Sequence, residues 1–170
     1  EMCIRDRFNR ARLIKNSKNR NPYGVDLIQK YKRESWIVFT ENKKQAKEFN
    51  KIINTKGFKS ALYNTDLDST ERLENLNKFK KADLNVLVTC TALDEGFDMP
   101  EADGALILSA SSSKRQRVQR MGRVLRITEN KPNALIVTVY SSKTEFDKLM
   151  EEAKRYHKEG VPVSWKRQDR

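Results

Sequence analysis

Short, almost uniformly apolar runs recur along this chain: WIVFT at 36–40, NVLVT at 85–89, ALILS at 105–109 and ALIVTVY at 134–140. Runs this short without polar alternation suit strands buried on both faces, whereas a sheet wetted on one side shows apolar and polar residues in turn. A further strand is expected at 58–63, where Lys59 and Ser60 interrupt the pattern. Between the strands the period changes. Ala46, Phe49, Ile52 and Ile53 recur at helical spacing and Gly57 closes that helix. Asp68 and Glu71 form a capping box for the next, with Leu73, Leu76 and Phe79 as its buried stripe. Val25, Leu27, Ile28 and Tyr31 mark a first helix from Pro22, with the proline near its first turn, ending near Arg33, and Phe146, Leu149 and Met150 a last one from about Thr144. Strands alternating with helices need crossover connections. The expected fold is therefore an α/β domain of three layers, a mostly parallel central sheet covered by helices on both faces.

In such a sheet, ligands bind outside the carboxyl ends of the strands. Two segments leave strands there. The first, TCTALDEGFDMP at 89–100, opens with hydroxyls and a thiol, sets Gly96 between Glu95 and Phe97, and holds Asp98 before a Met-Pro pair that forces extended backbone. Its bland alternative is an acidic connector with Asp98 as a turn former. The second, SSSKRQRVQRMGRVLR at 111–126, reads as a helix with Val118, Met121 and Leu125 on one face and Gln119, Arg123 and Arg126 nearly opposite. Guanidinium forks on a packed helix suit a multiply charged phosphate. A merely solvated basic face is the alternative. Against it stand Gly122, costly mid-helix unless another backbone comes close, and Gln119, an amide among the charges.

Lysine and arginine number 35 against 23 acidic residues, a formal charge of +12, which favours a polyanionic partner, nucleic acid being the commonest. Two cysteines in 170 residues imply no disulfide framework and fit a reducing compartment, and a single histidine, His157, speaks against a structural zinc site. No apolar run approaches a membrane span, and residues 1–10 lack the apolar centre of a signal peptide, so a soluble, cytoplasmic protein is expected. No G-x-x-x-x-G-K-[ST] phosphate cradle occurs, and no paired carboxylates follow a strand as a magnesium holder would. Arginines suited to a nucleotide, without means of holding one, suggest that they are supplied across a cleft to a nucleotide bound elsewhere.

The order WIVFT, ALYNTDLDSTER, VLVTCTALDEGFDMPEAD, QRVQRMGRVLR closely resembles the second, C-terminal RecA-like domain of superfamily 2 helicases and translocases, particularly the group near XPB and the restriction motors. The resemblance covers roughly residues 36–150. It implies that Gln119, Arg123 and Arg126 occupy a QxxGRxxR motif, both arginines acting as fingers toward the γ-phosphate held by a partner RecA-like domain. It also implies that Gly96 and Asp98 belong to an element closing on the nucleotide, and that Thr40, Asn64, Thr89, Cys90 and Thr91 line the nucleic-acid track. ATP and magnesium would be held mainly by the N-terminal RecA-like domain, absent from this chain. Two departures stand out: Cys90 where many members carry a phosphate-contacting threonine, and Asn64-Thr65 where His-Gly is often seen. A thiol is a weak donor, so a neighbouring hydroxyl or backbone amide must serve in its place.

The expected organisation is a weakly ordered basic segment at 1–21, a helicase C-terminal domain at 22–157 and a basic tail at 158–170. The implied function is the C-terminal motor half of an ATP-dependent helicase or translocase, inactive as a fragment, with nucleic acid as partner, DNA ahead of RNA. The alternative is a stand-alone basic nucleic-acid-binding module on a degenerate RecA-like fold, which predicts salt-sensitive binding without a nucleotide role.

Overall fold

The computed structural model describes residues 19–90, 101–108, 134–158, 160 and 162–165. In chain order these form α1 (Arg20–Tyr31), β1 (Trp36–Thr40), α2 (Lys43–Thr55), β2 (Ser60–Tyr63), α3 (Ser69–Lys80), β3 (Val86–Cys90), β4 (Gly104–Ile107), β5 (Leu135–Thr138) and α4 (Lys143–Lys158). The five strands make one sheet in the order β2-β3-β1-β4-β5, and every neighbouring pair is parallel. β1, β3 and β4 are buried throughout, as their unbroken apolar runs require, whereas the edge strands β2 and β5 are half-buried.

Alternation along β1 decides which layer each residue joins. Trp36 and Val38 face α1 and α2, packing with Val25, Ile28, Ala46, Phe49 and Ile53. Ile37 and Phe39 point the other way, to Leu76 and Phe79 of α3. Both faces are thus covered, which completes the three layers. The helix ends follow local chemistry. Asn42 Oδ1 accepts from the Gln45 N–H (2.9 Å) at the start of α2, and Asp68 Oδ1 accepts from the Glu71 N–H (2.7 Å) at the start of α3. Gly57 takes a positive φ of 86° where α2 is left behind.

Several expectations shift. α1 starts at Arg20, two residues before the expected Pro22, so the last two residues of the basic segment 1–21 belong to it and are buried, with Pro22 in its first turn. β2 begins only at Ser60, level with Val86, and the Lys59 carbonyl just before it accepts from the Asn85 and Val86 N–H groups where the ladder with β3 opens. Leu73 is 57% exposed and does not belong to the buried stripe of α3. Three-residue steps fall short of a full turn, so Leu73 lies about 120° around the helix from Phe79. β4 starts at Gly104, whose register partner is Trp36; a Cβ there would sit 2.6 Å from the indole, so only glycine leaves room for that ring. Trp165, expected in the tail, packs edge-to-face against Phe146 and Tyr140 with ring centroids 5.2 and 6.4 Å apart, so the tail touches the domain at this residue. No helix among the described residues is long and apolar enough to cross a membrane.

Candidate functional site

The carboxyl ends of β2, β3 and β1 lie side by side, and the register puts three of the expected track residues in one row. Thr40 is level with Cys90, and Tyr63 with Thr89, so Asn64, the next residue, falls level with Cys90. At the usual strand spacing this row spans about 10 Å. Its members are differently engaged. The Thr40 hydroxyl is within donating distance of the carbonyls of Thr89 (3.0 Å) and Asn42 (3.3 Å), tying β1 to β3 and to the entry of α2. Thr89 Oγ1 donates to the Cys90 carbonyl (3.2 Å), and the Cys90 thiol is free and buried. Thr40 and Thr89 are each 2% exposed, so both hydroxyls are inside the protein and occupied there.

Asn64 is different. It too is buried, and its Oδ1 accepts from the Asp66 N–H (3.0 Å), while its Nδ2 has no partner among the described residues. A buried amide donor without an acceptor is costly, which makes it a candidate for a contact supplied from outside.

The turn that Asn64 builds carries Asp66 to the first turns of α2. There Lys43 Nζ bonds Asp66 Oδ1, and Lys47 Nζ lies 3.1 Å from Asp66 Oδ2. The two lysines hold the Asp66 carboxyl below the ordinary aspartate range, first through the hydrogen bond from Lys43 and then through that from Lys47. Neither lysine nor Asp66 stood out in the sequence as a site residue. The available signal was Lys43 and Lys47 four residues apart in a helix directly following a strand.

At the far side of the same edge, Arg20 is 2% exposed and its guanidinium gathers the ends of β4 and β5. Nη1 donates to the carbonyls of Leu108 (2.6 Å) and Val139 (3.3 Å), and Nη2 to Ser141 Oγ (2.6 Å) and Glu145 Oε2 (2.6 Å). An arginine read as part of a weakly ordered basic segment is thus a buried tie between α1, the sheet and α4.

Gly96, Asp98 and Thr91, and likewise Gln119, Arg123 and Arg126, lie outside the described residues. What is described is where their segments are rooted. The first leaves Cys90 at the end of β3, and the second follows Leu108, whose N–H donates to the Phe39 carbonyl (2.9 Å) just past β4. β3 and β4 flank β1 on its two sides, so both segments depart from one edge of the sheet with β1 between them. Among the described residues no group of three His, Cys, Asp or Glu side chains could hold a metal ion.

Residues 20–128 match the family model for the helicase conserved C-terminal domain. The chain is 35% identical over 119 residues to the DNA 3'-5' translocase XPB2 of Sulfurisphaera tokodaii, covering 70% of this chain and 26% of that protein. It is 26% identical over 121 residues to the ATP-dependent rRNA helicase RRP3 of Scheffersomyces stipitis, covering 71% and 25%. The chain therefore spans about a quarter of the length of these relatives. Among solved structures, the C-terminal domain of the DEAD-box protein Dbp5 superposes with a TM-score of 0.73 at 21% identity, over 85% of this chain and 82% of that one. That likeness shows the same RecA-like α/β fold.

Proposed function

The chain belongs to the helicase conserved C-terminal domain family, and from that premise we propose that it is the second RecA-like motor half of an ATP-dependent helicase or translocase. In this reading Arg123 and Arg126 reach across a cleft to ATP held, with magnesium, by an N-terminal RecA-like domain of the same parent. Gly96, Asp98 and Gln119 approach the nucleotide, and Asn64 with the Thr89, Cys90 and Thr91 segment meets nucleic-acid phosphates.

One observation carries the reading: the two segments bearing these residues are rooted at the carboxyl ends of β3 and β4, on either side of β1. A single site needs that convergence. The role of the arginines follows from the charge they bring. In phosphoryl transfer, charge spreads over the transferred group's oxygens, and a fixed guanidinium there can be worth about a thousandfold or more in rate. The chain alone, lacking a phosphate cradle, hydrolyses no ATP. The buried Thr40 hydroxyl acts from within, holding the ends of β1 and β3 together, and that of Thr89 is taken up by the neighbouring Cys90 carbonyl, while backbone amides and Asn64 Nδ2 offer donors to phosphates without reading bases.

The test is made in the full-length parent. Arg123→Ala loses nucleic-acid-stimulated ATP hydrolysis and retains nucleic-acid binding, measured by steady-state phosphate release and by fluorescence anisotropy with single-stranded DNA and RNA in parallel. Unchanged turnover overturns the finger assignment.

A further inference from the structure

The first turns of α2 break two local rules at once. Lys43, Lys44 and Lys47 crowd the positive end of a helix dipole, where cations are disfavoured, and no acidic residue occupies the first turn. Lys43 and Lys47 are moreover four residues apart, the spacing at which like charges repel. A carboxylate from another element, Asp66, meets this charge and bonds a different lysine with each oxygen. Local conflicts of this kind concentrate at functional sites.

The geometry points to Asp66 as a built-in anion occupying the place of a backbone phosphate: Lys43 and Lys47 form a phosphate contact at the edge of the nucleic-acid track, and single-stranded nucleic acid binds there by displacing the Asp66 carboxylate. The carboxylate is held in position, not left to wander. Asn64 Oδ1 accepts from the Asp66 N–H, and the Leu67 N–H donates to the Asn64 carbonyl (3.3 Å), closing the turn that carries it. The lysines are reachable, with side chains 46% and 59% exposed against 33% for Asp66, so an incoming anion meets them without any opening of the fold. Two ammonium groups around one carboxylate leave a net positive charge, which still attracts a phosphate. Exchange of one anion for another then keeps both lysines paired throughout. Asp66 thereby lowers the affinity of the resting domain for nucleic acid.

The inference rests on the nucleic-acid reading proposed above, and the experiment separates the two. Binding of a fluorescent single-stranded oligonucleotide to the 170-residue chain is followed from low to moderate salt for the wild type, Asp66→Asn and Asp83→Asn. Asp83, exposed and beside the amino end of β3, controls for the general effect of one lost negative charge. Asp66→Asn should bind roughly threefold to tenfold more tightly than Asp83→Asn, because two ion pairs no longer compete. In a Lys43→Gln, Lys47→Gln background the difference between Asp66→Asn and Asp66 should vanish, since coupled residues are not additive. Circular dichroism checks that each variant is folded, and the lysine double variant reads the same contact independently. Asp66→Asn binding like Asp83→Asn, with the wild type binding well, overturns the displaced-carboxylate inference alone. Failure of every variant to bind at low salt overturns the nucleic-acid reading with it.

Discussion

Arg20 and Glu145 are 125 residues apart in the chain and 2.6 Å apart in the fold, an ion pair with side chains 2% and 12% exposed. Glu145 Oε2 also accepts from the Ser141 N–H (2.9 Å), so one carboxylate oxygen joins the start of α1, the exit of β5 and the first turn of α4. Breaking a pair of this kind costs more than the pair contributes, because the remaining charge is left without its partner. Arg20→Ala should destabilise the chain by about 3 kcal/mol, read as a lower urea midpoint. Arg20→Lys should recover only part of that loss, since a single ammonium cannot replace a fork that reaches two carbonyls, a hydroxyl and a carboxylate.

Gly104 and Trp36 predict a second outcome. Three indole atoms lie 2.6 to 2.8 Å from where a Cβ on Gly104 would stand, and Trp36 is fully buried. Gly104→Ala should therefore cost about 1–3 kcal/mol through overpacking. It should also shift Trp36 fluorescence in the folded state, which a change confined to the unfolded chain would not do.

Two leucines on α3 should differ sharply in their response to the same change. Leu76 is 5% exposed and packs with Ile37 and Phe39, whereas Leu73 is 57% exposed. Leu76→Ala should lose about 2–5 kcal/mol, and Leu73→Ala should stay within about 0.5 kcal/mol of the wild type in the same urea titration.

The carboxyl of Asp66 predicts a dependence on pH. Lys43 and Lys47 lower its folded-state pKa below the ordinary 3.8, so the native chain binds fewer protons at this group than the unfolded one. The stabilisation is then fully present above the unfolded value and is lost as pH falls through the folded one. The wild type should exceed Asp66→Asn in urea midpoint near pH 7, and the gap should close as pH drops below about 4. Being exposed, the pairs should also lose their effect as salt is raised.

The sequence by itself determined the alternation of strands and helices, the parallel sheet and the edge to inspect. Apolar periodicity is a local property, legible wherever burial is continuous, as in WIVFT and VLVTC. It could also place Asp68 and Gly57, because a cap and a left-handed turn depend on a few consecutive residues. Strand ends were legible only to within a residue or two, and Leu73 was assigned to the core because its spacing cannot say how wide the buried stripe is.

Tertiary structure alone decided the rest. Nothing near Arg20 in the chain indicates that its charge is met by Glu145 and that it closes β4 and β5. Nothing near Asp66 indicates that two lysines of the preceding helix converge on it. Such pairs are set by the strand order, which brings α1 to the end of β4 and sets the turn after β2 beside α2, and strand order is a property of the whole sheet. Thr40 makes the same point from the other side: its sequence position at the end of β1 marks the edge, but only the neighbouring β3 carbonyl reveals that its hydroxyl is already held. Charge and hydrogen bonding act over a few ångströms regardless of separation along the chain, and for that reason they are the last features a sequence discloses.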